Sequence, residues 1–134
     1  MEIKTNLSFW IKGQELLTDT LVLVGSRDWA TAAVKKKLPK GACEALQAEN
    51  TFGKPGRQAC SSTFTLNDSP SLELLWFDID ETRSPADCAM LVSHESVHAV
   101  DNMLEQRGLP NDSELRAYLV DYLVFKIISQ VIPN

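Results

Sequence analysis

The sequence predicts an α+β fold, and three observations lead there. Apolar runs with β preference fall in the first part of the chain, at Leu21–Val24 and Leu72–Ile79. A helical pattern stands between them, and two long helical patterns, each with its own start and stop signals, fill the end of the chain. Strand-forming segments followed by two adjacent helices imply a small mixed or antiparallel sheet, with one helix backing it and two covering its other face.

Leu7, Phe9, Trp10 and Ile11 form a first strand, and Gln14 to Leu17 reads either way. Leu21-Val22-Leu23-Val24 is a buried strand that stops at Gly25. Ser26 then opens a helix carrying Trp29, Ala32, Ala33 and Leu38 at helical spacing. Lys35-Lys36-Lys37 closes that helix as a solvated last turn complementing the dipole, a commoner use of such a run than phosphate binding.

From Pro39 to Ser62 the glycines at 41, 53 and 56 and Pro55 interrupt any long element, although Ala42 to Ala48 could make a short helix. Residues 39–62 are therefore expected to be a loop insertion. Ser62–Leu66 and Leu72–Ile79 follow as two strands around Asn67-Asp68-Ser69-Pro70, a turn sequence, and so form an antiparallel hairpin.

Ser84-Pro85-Ala86-Asp87 supplies an N-cap, a proline at the first helical position and an acid in the first turn. The helix it starts can run to Arg107, where Gly108 allows a left-handed stop and Pro110 blocks continuation. Its other positions, from Met90 to Leu104, are apolar almost all round. Asn111 or Asp112 caps a final helix in which Leu115, Leu119, Leu123, Ile127 and Val131 recur at helical spacing.

With 134 residues, 44% hydrophobic and 23% charged, the chain fits one soluble domain spanning residues 1–134. A net charge of -5 argues against nucleic acid or an anionic membrane as partner. No apolar stretch approaches the roughly 20 residues needed to cross a bilayer. The first residues lack a basic segment followed by an apolar one, so a cytoplasmic location is expected. Cys43, Cys60 and Cys88 are odd in number and widely spaced, which suits free thiols better than a disulfide framework or a cysteine zinc ribbon.

The chemistry is concentrated in His94-Glu95-Ser96-Val97-His98. Residues four apart share a helix face, so both imidazoles can reach one ion, and zinc accepts that geometry. Glu95, turned about 100° from His94, can act on bound water without ligating the metal. Two histidines are all the chain has, and chance would set them in this pattern on the order of once in a thousand such chains, so a coincidental pairing is the weaker reading.

Zinc then needs a third protein ligand and an open position. No third histidine exists, and Asp101 and Leu104 occupy the positions where a metzincin has Gly and His. Glu114, in the first turn of the last helix, is the expected carboxylate ligand. The same residue also fits a capping box with Asn111. Asp101, three residues past His98, is suited to holding an imidazole N–H instead.

His94-Glu95-Ser96-Val97-His98-Ala99-Val100 followed by Glu114-Leu115-Arg116-Ala117-Tyr118-Leu119 resembles the gluzincins, in particular the very small phage- or prophage-encoded ones whose second helix reads Glu-x-x-Ala-Tyr. The match covers about residues 85 to 130. It implies a minimal zincin-like core with an active-site helix and a glutamate helix, Zn2+ on two His and one Glu, and peptide hydrolysis with Glu95 as general base. The strand at Leu72–Phe77 would be the edge strand that binds an extended peptide or protein substrate. The chain lacks the separate C-terminal domain of larger gluzincins. Tyr118 is then the candidate oxyanion donor, with a core tyrosine as the alternative. A zinc-stabilised binding or regulatory protein without turnover is the rival function.

Overall fold

The computed structural model describes residues 2–14, 16–38, 40, 51–64 and 71–133. Its elements are β1 (Leu7–Ile11), β2 (Asp19–Val24), α1 (Arg27–Lys37), β3 (Ala59–Phe64), β4 (Leu72–Phe77), α2 (Pro85–Gln106) and α3 (Ser113–Val131). The strands make one mixed sheet in the order β1-β2-β4-β3. β1 and β3 run antiparallel to their neighbours, while β2 and β4 pair in parallel with Leu21 opposite Leu74 and Val24 opposite Phe77. The class is the expected α+β.

Both central strands are covered on both faces, which explains why they read as unbroken apolar runs and not as alternations. Leu21, Leu23, Leu74 and Trp76 pack with Ala30 and Val34 of α1. Val22, Val24, Leu75 and Phe77 face the other way, onto Val92, Ala99 and Met103 of α2 and Leu123 and Ile127 of α3. Among the described residues α1 backs the sheet and α2 and α3 cover its opposite face, as the sequence predicts.

Two expectations are corrected. β4 is an inner strand, and the edge beside it is β3. A run as apolar as Leu74-Leu75-Trp76-Phe77, with each side chain at most 1% exposed, is stable only with neighbours on both sides. β3 also starts at Ala59, inside the segment expected to be a loop. Its small and polar residues carry little strand preference of their own, and the antiparallel pairing from Ala59–Phe77 to Phe64–Leu72 supplies the order. The possible helix at Ala42 to Ala48 and the turn Asn67 to Pro70 lie outside the described residues.

The approach to β3 is fastened from α1. Arg27, at the start of that helix, donates to the carbonyls of Phe52 (3.1 Å), Gly53 (3.0 Å) and Lys54 (2.9 Å). Its guanidinium carbon lies 5.2 Å from the centre of the Trp76 ring, a cation–π distance.

The helix ends follow their capping chemistry. Ser84 Oγ accepts from the Asp87 amide at 3.1 Å, with Pro85 in the first turn of α2. Gly108 takes φ 63°, a left-handed conformation that glycine adopts without strain, and the Leu109 amide returns to the Leu104 carbonyl at 3.0 Å. α3 is capped by Asp112, whose Oδ1 accepts from the amides of Glu114 (2.9 Å) and Leu115 (3.0 Å). No helix among the described residues is long and apolar enough to cross a membrane.

Candidate metal centre

His94 and His98 stand one turn apart on α2 with their Nε2 atoms 3.2 Å from each other. Two imidazoles on one tetrahedral zinc, each about 2.0–2.1 Å from the ion, hold their nitrogens about 3.3–3.4 Å apart. The pair thus already has the bite of a single ion. Both rings are exposed, and α2 is amphipathic where an apolar surface almost all round was expected: Met90 is 69% exposed and Val97 half-buried. Solvation, not burial, stabilises the two imidazoles.

Glu95 lies on a different face of the helix. It is 6% exposed, and no described residue hydrogen-bonds its carboxylate. Asn102, seven residues on and so on nearly the same face, bonds to Glu73 of β4 at 3.1 Å. Glu95 therefore looks along the seam where α2 crosses the edge of the sheet. Its charge raises the pKa of the Cys60 thiol on β3, an effect second to burial, which already keeps that thiol protonated at neutral pH. Cys60 Sγ donates to the Thr51 carbonyl at 3.1 Å.

Asp101 does not hold an imidazole. Arg116 of α3 takes both its oxygens, Nε to Oδ1 at 2.7 Å and Nη2 to Oδ2 at 3.2 Å, and that guanidinium keeps the carboxyl below its ordinary range. With Asp101 and Arg116 taken as level, 1.5 Å per residue sets Glu114 about 10 Å along the helix axes from the middle of the histidine pair and Asp121 about level with it, on the same exposed stripe of α3 as Glu114. Among the described residues, no group of three His, Cys, Asp or Glu side chains is placed to hold a metal ion. The structure brings His94 and His98 together and leaves Glu114 apart, exposed in the first turn of α3.

The capping-box reading of Glu114 is corrected, because Asp112 is the cap and Glu114 follows it by two residues. Tyr118 is 67% exposed, so it is not a core tyrosine. It falls one turn beyond Glu114 on the outward side of α3. Sequence reasoning passed over Glu73 and Asn102. The available signal was a lone charge inside an otherwise apolar strand, Leu72-Glu73-Leu74-Leu75-Trp76-Phe77.

Comparison with protein-family models, with characterised proteins and with solved structures gives no match to this chain.

Proposed function

We propose that this protein is a zinc-dependent metallopeptidase in which His94 and His98 bind the metal and Glu95 is the general base. The observation that carries the reading is the 3.2 Å separation of the two Nε2 atoms on one helix face, with a glutamate to which no described residue hydrogen-bonds directly after the first histidine. Zinc bound there would polarise a peptide carbonyl and lower the pKa of water. Glu95 takes the proton of the attacking water and returns it to the leaving amine, a role that suits a carboxylate to which no described residue donates. The phenol of Tyr118 is the candidate donor to the developing oxyanion.

The substrate is a peptide or protein that enters extended along β3, the edge strand on the Glu95 side of α2. The third ligand is a carboxylate of α3. The Glu-x-x-Ala-Tyr resemblance favours Glu114, whose exposed side chain would have to move toward the pair, and the height of the helices favours Asp121.

Glu95→Gln tests the assignment. Zinc content is expected to stay at that of the wild type while hydrolysis of an unfolded protein substrate disappears, and retained hydrolysis would remove Glu95 from the mechanism. The second reading, a zinc-stabilised binding or regulatory protein, is favoured by the absence of a third donor beside the pair among the described residues. It wins if wild-type protein binds zinc yet generates no new peptide termini at stoichiometric concentration.

A further inference from the structure

The two walls of the candidate site, β3 and α2, are joined by a polar contact inside the protein. Glu73 is 1% exposed. It pairs with Thr63 across the β3–β4 ladder and, by strand alternation, shares a face with Leu75 and Phe77, toward α2. The Thr63 hydroxyl donates to Oε2 at 2.9 Å, and the Asn102 amide donates to Oε1 at 3.1 Å. Asn102 sits one turn beyond His98.

Among the described residues no cation is bonded to this carboxyl; on α2 Glu95 is buried in the same seam and Glu105 is exposed, on β3 Cys60 donates to the Thr51 carbonyl, and the groups named next are engaged elsewhere. On β2, Asp19 accepts from the Gly13 amide, and Thr20, which pairs with Glu73, turns its hydroxyl to the Thr18 carbonyl. On α2, His98 faces His94 and Asp101 is held by Arg116 of α3. Arg107, just past α2, donates to the Leu17 carbonyl. Burial pushes the Glu73 carboxyl up to about 8, outweighing its two hydrogen bonds, so it carries a proton at neutral pH.

We propose that Glu73 is a positioning residue, a neutral-carboxyl latch that ties edge strand β3 to the histidine helix α2 through Thr63 and Asn102 and lets go when the carboxyl loses its proton. Among the described residues a carboxylate at this point has two neutral donors and no counter-ion, so it gains most by reaching water. β3 is the last strand of the sheet, and moving Thr63 outward opens the shortest path. Release loosens the strand along which Glu95 lies. The effect on a docked peptide rests on the metallopeptidase reading; the latch does not.

Hydrogen exchange of the β3 amides, measured on metal-free protein from pH 5 to pH 9 and corrected for intrinsic exchange chemistry, tests the latch. Glu73→Gln keeps the shape, accepts from Asn102 through its one amide oxygen and turns its NH2 to Thr63, whose hydroxyl oxygen then accepts, and it has no proton to lose. Opening of β3 is expected to rise at least about tenfold between pH 5 and pH 8 in the wild type, and less than about twofold in Glu73→Gln. A flat wild-type profile, or the same rise in Glu73→Gln, overturns the proposal. If Glu73→Gln does not fold, infrared spectroscopy of the wild type decides: a protonated-carboxyl band at pH 7 that vanishes on titration through pH 8 is expected, and no such band at pH 7 overturns the latch. Neither measurement involves zinc, so failure here leaves the fate of the metal site to the Glu95→Gln experiment.

Discussion

Glu73 and Glu95 occupy the same seam between α2 and the β3 edge, 1% and 6% exposed, yet the structure treats them in opposite ways. Glu73 is anchored by Thr63 and Asn102 and sits where the neutral acid is favoured. Among the described residues nothing hydrogen-bonds Glu95, which directly follows the first of two imidazoles that face one another. A buried carboxyl that is fully engaged serves cohesion, whereas one left unengaged next to the histidine pair proposed to hold zinc is available for proton transfer.

The sharpest way to break this contrast is to neutralise each glutamate in turn and measure peptide hydrolysis by zinc-loaded protein at pH 6. Glu95→Gln should lower kcat/KM by on the order of 10²–10⁴, the usual contribution of a general base, while Glu73→Gln changes it by less than about threefold. Equal losses would mean that both residues only support the fold.

Zinc affinity comes next. If α3 supplies the third ligand, either Glu114→Gln or Asp121→Asn should weaken binding by about 100-fold or more, and the other should barely affect it. Competitive chelator titration reads the difference. Loss of affinity in neither variant would take α3 out of the metal site.

Stability against pH separates the two glutamates thermodynamically. The folded-state pKa of Glu73 is raised above the unfolded value, from 4.5 to about 8, so the folded protein holds the extra proton between those values. The stability this confers is complete below about pH 4.5, declines as pH rises, and is gone by about pH 8, a total of up to about 5 kcal/mol. Denaturant unfolding should therefore find Glu73→Gln close to the wild type at pH 5 and more stable by a few kcal/mol at pH 8. An identical pH slope in both proteins would contradict the assignment. The smallest effect belongs to the cap of α3: Asp112→Ala removes the acceptor of two amides and should cost about 1 kcal/mol, read from the same curves.

What was legible in the sequence was local. Ser84, Pro85 and Asp87 mark the start of α2, Gly108 and Pro110 its end, and the strands β2 and β4 announce themselves as apolar runs, because each signal acts within a few residues. The inner position of β4 was not legible, since strand order depends on a parallel pairing with β2 about fifty residues earlier. Nor was the start of β3, where Ala59, Cys60 and Ser61 acquire strand geometry only from their partner. For the candidate site, the motif located both imidazoles, since helical periodicity brings residues four apart onto one face, while Glu95 falls on the buried face beside it. It could not say that Arg116 occupies Asp101, nor how high Glu114 stands on α3, because both depend on how two helices meet.

The Arg27 clasp bears on how this sheet avoids self-association. An open strand edge is a template for another chain, and a sheet that ends on a long, sticky edge invites polymerisation. Here the edge is six residues of mainly small and polar character, its entry moored by one guanidinium across three successive carbonyls and its far end by Thr63 to Glu73. A strand moored at both ends cannot slide its register.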